Sequence, residues 1–186
     1  MRSIGTTLAP AVVAVALAAT VTTVGADAHD GSRHDHDARP TLQVTSLLRD
    51  LQPTTAQPFD GATSRLRMSV RDHSTSFELR LSGLDPSAAG QSYGAHLHVA
   101  RCVAGDGAAA GPHYNVDVLA GVVPPKVDPA TEVWLDFRIR RDGTARSRAW
   151  VPFVVQPGDR AVVVHAEPTS PAGSAGARLA CLPAVW

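Results

Sequence analysis

The chain has 186 residues, 17 Lys and Arg against 17 Asp and Glu, and therefore a formal charge of zero. So balanced a composition argues against nucleic acid or an anionic membrane as the main partner, because such binding rests on clustered Lys and Arg that release counterions. The expected partner is a small molecule.

In chain order, the first predicted element is an export signal over residues 1–28. Arg2 supplies a positive start, Leu8 to Val24 is apolar and rich in small residues and Thr, and Ala26-Asp27-Ala28 is an A-x-A cleavage pattern. An uncleaved anchor is the competing reading, but the stretch is Ala- and Thr-rich and nothing resembling a second span follows. The predicted product is a secreted or extracytoplasmic protein with no stable membrane span after cleavage. No cysteine follows the signal, which argues against a lipoprotein. Residues 29–40, running from His29-Asp30-Gly31 through His34-Asp35-His36-Asp37 to Pro40, are too polar to bury and read as a disordered tail. The tail is either a solvated spacer or a weak copper- or zinc-gathering segment.

Residues 41–186 are enough chain for one domain with one core. Apolar and polar residues alternate in Arg65 to Val70, Phe77 to Leu81 and Val133 to Ile139, the period of half-buried strands, while Ala161 to Val164 is an apolar run suited to a more buried strand. Turn residues separate these runs at Asp72 to Ser74, Gly83-Leu84-Asp85-Pro86, Asp142-Gly143 and Pro157-Gly158-Asp159. The fold class is all-β, a sandwich or barrel. Ala100 to Ala130 and Glu167 to Ala177 are rich in Gly, Ala and Pro and read as long loops, where function tends to sit on a β scaffold. Cys102 and Cys181 are the two cysteines of a chain predicted to be exported, so one disulfide is the simplest reading and two free thiols the alternative.

Four histidines lie outside the tail and the turn at His73: His96, His98, His113 and His165. In a strand, residues two apart project from one face, so His96 and His98 in Gly94-Ala95-His96-Leu97-His98 can meet one ion. His113 follows Gly111-Pro112, and His165 ends Val162-Val163-Val164. Four imidazoles suit copper, and by ligand type alone they also suit zinc.

Three regions resemble the Cu/Zn superoxide dismutase family. Gly94 to His98 is similar to its G-x-H-x-H strand, and Ala110-Gly111-Pro112-His113-Tyr114-Asn115 to its A-G-P-H-[FY]-N loop. In the C-terminal part, Val163-Val164-His165 and Gly176-Ala177-Arg178-Leu179-Ala180-Cys181 resemble its V-V-H strand end and G-[SA]-R-L-A-C closing motif. The resemblance runs from about Phe77 to Cys181. It implies an eight-stranded Greek-key β-barrel with two long functional loops, and copper held by His96, His98, His113 and His165. It also implies a Cys102–Cys181 disulfide and an Arg178 guanidinium that attracts superoxide. The implied activity is conversion of superoxide to oxygen and hydrogen peroxide, with His113 taking up a proton in the reduced state.

The resemblance breaks at the zinc ligands. No histidine lies between Tyr114 and Val164, and the Glu167 to Ala177 loop is short with Glu167 its only charge. Carboxylates alone rarely build a tetrahedral zinc site. Both departures resemble the copper-only branch of the family, which implies copper without structural zinc. A ligand histidine usually donates its other ring N–H to an acceptor, and Glu132, then Asp136, are the expected acceptors for His113; the alternative is that both face solvent opposite Arg138 and Arg140.

Other readings compete. A non-catalytic extracellular copper-binding or buffering protein would keep the histidines but has no use for Arg178 at an open copper position; the alternative for Arg178 is a structural role anchoring backbone carbonyls. Gly90-Gln91-Ser92-Tyr93-Gly94 satisfies the G-x-S-x-G pattern of serine hydrolases, but a nucleophile elbow needs a strand before it and a helix after it. Tyr114, Trp134 and Trp150 read as packing aromatics. Oligomeric state is not legible.

Overall fold

The structure is a computed structural model that describes residues 42–186. The predicted export signal and the His- and Asp-rich tail lie outside the described residues. The strands are β1 (Leu42–Leu47), β2 (Arg49–Asp50), β3 (Thr63–Arg71), β4 (Ser74–Ser82), β5 (Ser92–Tyr93), β6 (Ala95–His98), β7 (Phe137–Arg138), β8 (Ala145–Val151), β9 (Asp159–His165) and β10 (Arg178–Val185). They form two four-stranded sheets, β1-β3-β4-β8 and β2-β10-β9-β6, and a short β5-β7 pair, all antiparallel. The all-β expectation holds. Among the described residues no helix is long and apolar enough to cross a membrane.

The alternation in β3 and β4 does what its period demands. Leu66, Met68, Phe77, Leu79 and Leu81 point inward and are buried, and they share one core with Leu97, Val162, Val164 and Leu182 of the other sheet. Each such side chain contributes about 1.5–3 kcal/mol when taken from water. The β3–β4 hairpin turns on Asp72-His73, with Asp72 in the left-handed region at φ 51°, which a short Asp side chain tolerates.

The run in β9 lacks alternation because both its faces are covered. Val162 and Val164 enter the main core, whereas Ala161 and Val163 pack outward against Leu51, Cys102, Ala110 and Cys181. The covering chain is the long loop after β6, which holds a 3-10 turn (Gly107–Ala110) and one helical turn, α1 (Val116–Leu119). A Cys102–Cys181 disulfide ties it to β10 across a sequence separation of 79, with the Cα atoms 5.7 Å apart.

The strand expected over 133–139 is regular only at Phe137–Arg138. Its burial still alternates, with Val133, Leu135, Phe137 and Ile139 inside, and it runs beside β6 through a Leu135 N–H bond to the Ala95 carbonyl at 2.7 Å. The ladder breaks opposite Gly94, whose N–H donates to the Glu167 carbonyl and whose carbonyl accepts from the His165 N–H, both at 2.8 Å. That backbone is committed to the loop after β9.

Candidate metal centre

Strand parity places three of the four histidines. Ala95 and Leu97 enter the core, so His96 and His98 leave β6 on its opposite face, both with no exposure. Register sets them beside Val163 and Ala161, on the face of β9 that also carries His165. His113 arrives on the covering loop, bridged to the backbone of His98. One nitrogen from each of the four rings lies within 4.8 Å of the others, and among the described residues no other such group of potential ligands occurs.

The gathered nitrogens suit one ion. His96 Nδ1 and His113 Nε2 are 3.0 Å apart, and His98 Nε2 and His165 Nε2 are 3.3 Å apart. Metal–nitrogen bonds of about 2.0–2.1 Å put neighbouring ligand nitrogens about 2.9 Å apart at a right angle and about 3.4 Å apart at a tetrahedral one.

The other nitrogen of every ring is engaged. His98 Nδ1 meets the Gly111 carbonyl at 2.9 Å, His165 Nδ1 the Gly176 carbonyl at 3.2 Å, and His113 Nδ1 the Glu132 carboxylate at 2.9 Å. Carbonyls and carboxylates only accept, so each of these rings donates from its outer nitrogen, which leaves the inner nitrogen of a neutral ring to turn a lone pair inward. His96 reaches the same state through a hydroxyl. Thr169 Oγ1 donates to Asp136 at 2.6 Å, which leaves its oxygen free to accept from His96 Nε2, also at 2.6 Å.

Burial reinforces the neutral form. It pushes His96 down to about 3, His98 to about 2 and His165 to about 4, with the neighbouring imidazoles adding to the shift. Burial alone would raise Glu132, but hydrogen bonds from His113, Trp134 and Asn115 outweigh it and hold the carboxyl below its ordinary value. The centre therefore presents three neutral imidazoles, with an ionised carboxylate behind the fourth ring, His113.

Two glycines allow this assembly. A Cβ on Gly94 would lie 2.7 Å from Ala175 Cβ and 2.8 Å from the Glu167 carbonyl, so glycine lets the Thr169 loop lie on β6. Gly111 adopts φ 70°, and its carbonyl accepts from both His98 Nδ1 and Arg178 Nη2, the latter at 2.8 Å. Arg178 also donates to the Gly107 carbonyl and lines an open recess of about 540 Å³ with Gln52, Gly107 and Gly111. Burial lowers its pKa, but a guanidinium stays charged.

Of the expected residues, Glu132 is 4% exposed and touches His113, while Asp136 touches Thr169 and the Ala95 N–H. Neither is a solvent-facing partner of Arg138 or Arg140. Thr169 and the role of Asn115 escaped the sequence reading, and Trp134 was read as a packing aromatic. Asn115 donates to Glu132 at 3.1 Å and caps α1; its place in the A-G-P-H-Y-N segment was the available signal. Trp134 is half-buried and its indole N–H donates to Glu132 at 2.9 Å, so it does more than pack. Thr169 sits in a loop with no periodic signal. Tyr114 is a core residue as expected, but Trp150 is 61% exposed. Ser92 lies on β5, followed by β6 and no helix, so the elbow context is missing.

No protein-family model and no curated protein matches the chain. Solved structures do. A structure of the clock protein EA4 is 18% identical, with a TM-score of 0.51, and the match covers 76% of this chain and 90% of that one. A double mutant of a SOD-like protein from Bacillus subtilis is also 18% identical, with a TM-score of 0.54 over 76% of this chain and 97% of that one. At this identity the likeness is one of fold: the chain has a SOD-like fold that carries a group of four histidines able to hold a metal ion.

Proposed function

We propose that the four imidazoles hold one copper ion without a structural zinc, and that the chain is a secreted copper-dependent superoxide dismutase. The copper-only branch and its eight-stranded Greek-key barrel belong to the same reading. The observation that carries it is the arrangement of His113: one nitrogen joins the other three imidazoles, and the second is occupied by a buried carboxylate. In this reading the carboxylate takes over from zinc the task of orienting His113.

Copper, when bound, supplies a one-electron couple that can take an electron from one superoxide and return it to another. The chain does the rest. Carbonyls of Gly111 and Gly176 and the Thr169–Asp136 pair keep three imidazoles oriented and neutral. His113 is the least buried of the four, its side chain 21% exposed, and Glu132 accepts from its Nδ1, so this ring is the one open to proton exchange with solvent. Arg178, whose Nη2 shares the Gly111 carbonyl with His98 Nδ1, sets a fixed positive charge beside the centre that draws in a small anion. Two superoxide anions and two protons leave as one oxygen and one hydrogen peroxide. The disulfide accords with an extracytoplasmic location.

The test combines metal analysis with dismutation assays on the wild type, Arg178→Ala and Arg178→Lys. We expect about one copper per chain and far less zinc. Arg178→Ala should retain copper and lose about tenfold or more in rate, with partial recovery in Arg178→Lys. A chain that refuses copper, or holds zinc equal to copper, overturns the proposal. Copper bound without dismutation leaves a copper-buffering protein instead.

A further inference from the structure

The zero formal charge of the chain conceals a polarised surface. On the sheet β1-β3-β4-β8, the alternation that buries Leu66 and Leu79 turns Arg65, Arg67, Arg80, Arg146 and Arg148 to the outer face. Register sets Arg65 opposite Arg80 and Arg80 opposite Arg146, while Glu78 stands between Arg67 and Arg148. Glu78 is the only acidic residue in these four strands. Its carboxylate is contacted by Arg80 at 2.8 Å and by Arg146 at 2.5 Å. Arg65 and Arg67 turn instead to the neutral amide oxygen of Gln43, at 2.7 and 2.9 Å. With Arg71 at the end of β3, the four strands carry six guanidiniums against one carboxylate, an excess of five positive charges.

This arrangement works against folding. Like charges directly opposite on neighbouring strands destabilise a sheet, and Arg65/Arg80 and Arg80/Arg146 are two such pairs. Trp150 adds a second anomaly: it is 61% exposed, two residues beyond Arg148 on the same face. A groove of about 710 Å³ runs between Arg67, Glu78, Arg148 and Trp150, and a second of about 450 Å³ links Arg65, Arg80 and Arg146 to Arg140.

We propose that this face binds an anionic polysaccharide, with acid groups taken up by the arginine rows and a sugar ring stacked on Trp150, and so anchors the protein to an acidic glycan. The geometry favours an extended polymer. Strands about 4.8 Å apart and same-face residues about 6.7 Å apart along a strand spread the guanidiniums over about 10 Å by 7 Å, more than one small anion can span. Each guanidinium fork matches a carboxylate or sulfate. The flat, amphipathic indole suits the apolar face of a pyranose better than it suits open water. The face is built of strands alone and offers no helix to enter the groove of a nucleic acid duplex. The imidazoles lie on the outer face of the other sheet, so an anchored molecule keeps that centre free. The proposal does not rest on what the centre binds.

The test is calorimetric titration of the purified protein with oligogalacturonate and with heparin oligosaccharides, using dextran and oligo(dT) as comparators. Saturable binding to at least one acidic polysaccharide and none to dextran is expected. Replacing Arg65→Ser and Arg146→Ser together should weaken it about tenfold or more and flatten the dependence of log Kd on log salt by about two. Trp150→Ala should weaken it about threefold without changing that slope. Relief of the like-charge pairs predicts a thermal midpoint for the double variant equal to or above the wild type, and Arg148→Ser gives an independent second readout. No binding to either acidic polysaccharide at low salt, wild-type binding by folded arginine variants, or tighter binding of oligo(dT) than of both polysaccharides would overturn the proposal.

Discussion

The two sheets turn outer faces of opposite character to their surroundings. On β6 and β9 the outward residues His96, His98, Ala161, Val163 and His165 are all buried, and only Asp159 at the start of β9 is exposed. On β3, β4 and β8 the outward residues include five arginines, and nothing among the described residues covers them. Strand parity selects which side chains leave the core on both sheets in the same way. Cover then decides their chemistry: desolvation makes imidazoles neutral and turns a carboxylate into a fixed partner, whereas on the open sheet water screens each charge and a single ion pair is worth little.

Acid separates the two faces most strongly. His96, His98 and His165 have folded pKa values of about 3, 2 and 4, below their ordinary 6.5, so the unfolded chain binds more protons than the folded one as pH falls. Stability of the metal-free protein should be full above pH 6.5 and decline below it. Three such groups set a slope approaching about 4 kcal/mol per pH unit between roughly pH 5.5 and 4. Denaturant titrations at a series of pH values measure this, and a flat profile down to pH 4 would contradict the buried, neutral state. The arginines of the open face contribute nothing to the slope.

Cover also depends on the disulfide. With a sequence separation of 79, replacing Cys102→Ser and Cys181→Ser together should cost about 4.5 kcal/mol in the chain-entropy description. Equilibrium unfolding reads the loss, and copper titration should show a weaker centre because His113 rides on the tethered loop.

The smallest effect comes from exchanging one carboxylate on each face. Glu132→Gln keeps the shape but removes the charge behind His113, and should lower copper affinity or activity about 10- to 100-fold. Glu78→Gln, on the open face, should leave both unchanged and disturb stability far less than loss of the disulfide does. Equal responses from the two variants would dissolve the distinction between the faces.

Much of the fold is legible in the residues alone. Period-two patterning in β3 and β4, the His-x-His pair and the turn residues each express local rules, so they survive without knowledge of the fold. Val133 to Ile139 kept its burial pattern but lost its ladder, because hydrogen bonding there depends on what Gly94 does with its own backbone. Thr169 was missed for a related reason: a hydroxyl becomes an orienting partner only when a distant segment comes to rest against it. The arginine face hid behind a balanced total, since composition averages over a surface that the strand register divides.

The sequence by itself determined the all-β class, the pair of imidazoles sharing a strand face, and the two cysteines available for a bridge, because side-chain alternation is a property of the backbone. Tertiary structure alone decided which nitrogen of each ring points inward, which carboxylate stands behind His113, and which of two similar sheet faces is dry. Those choices are made by hydrogen bonds and desolvation between residues far apart in the chain, and no local pattern encodes them.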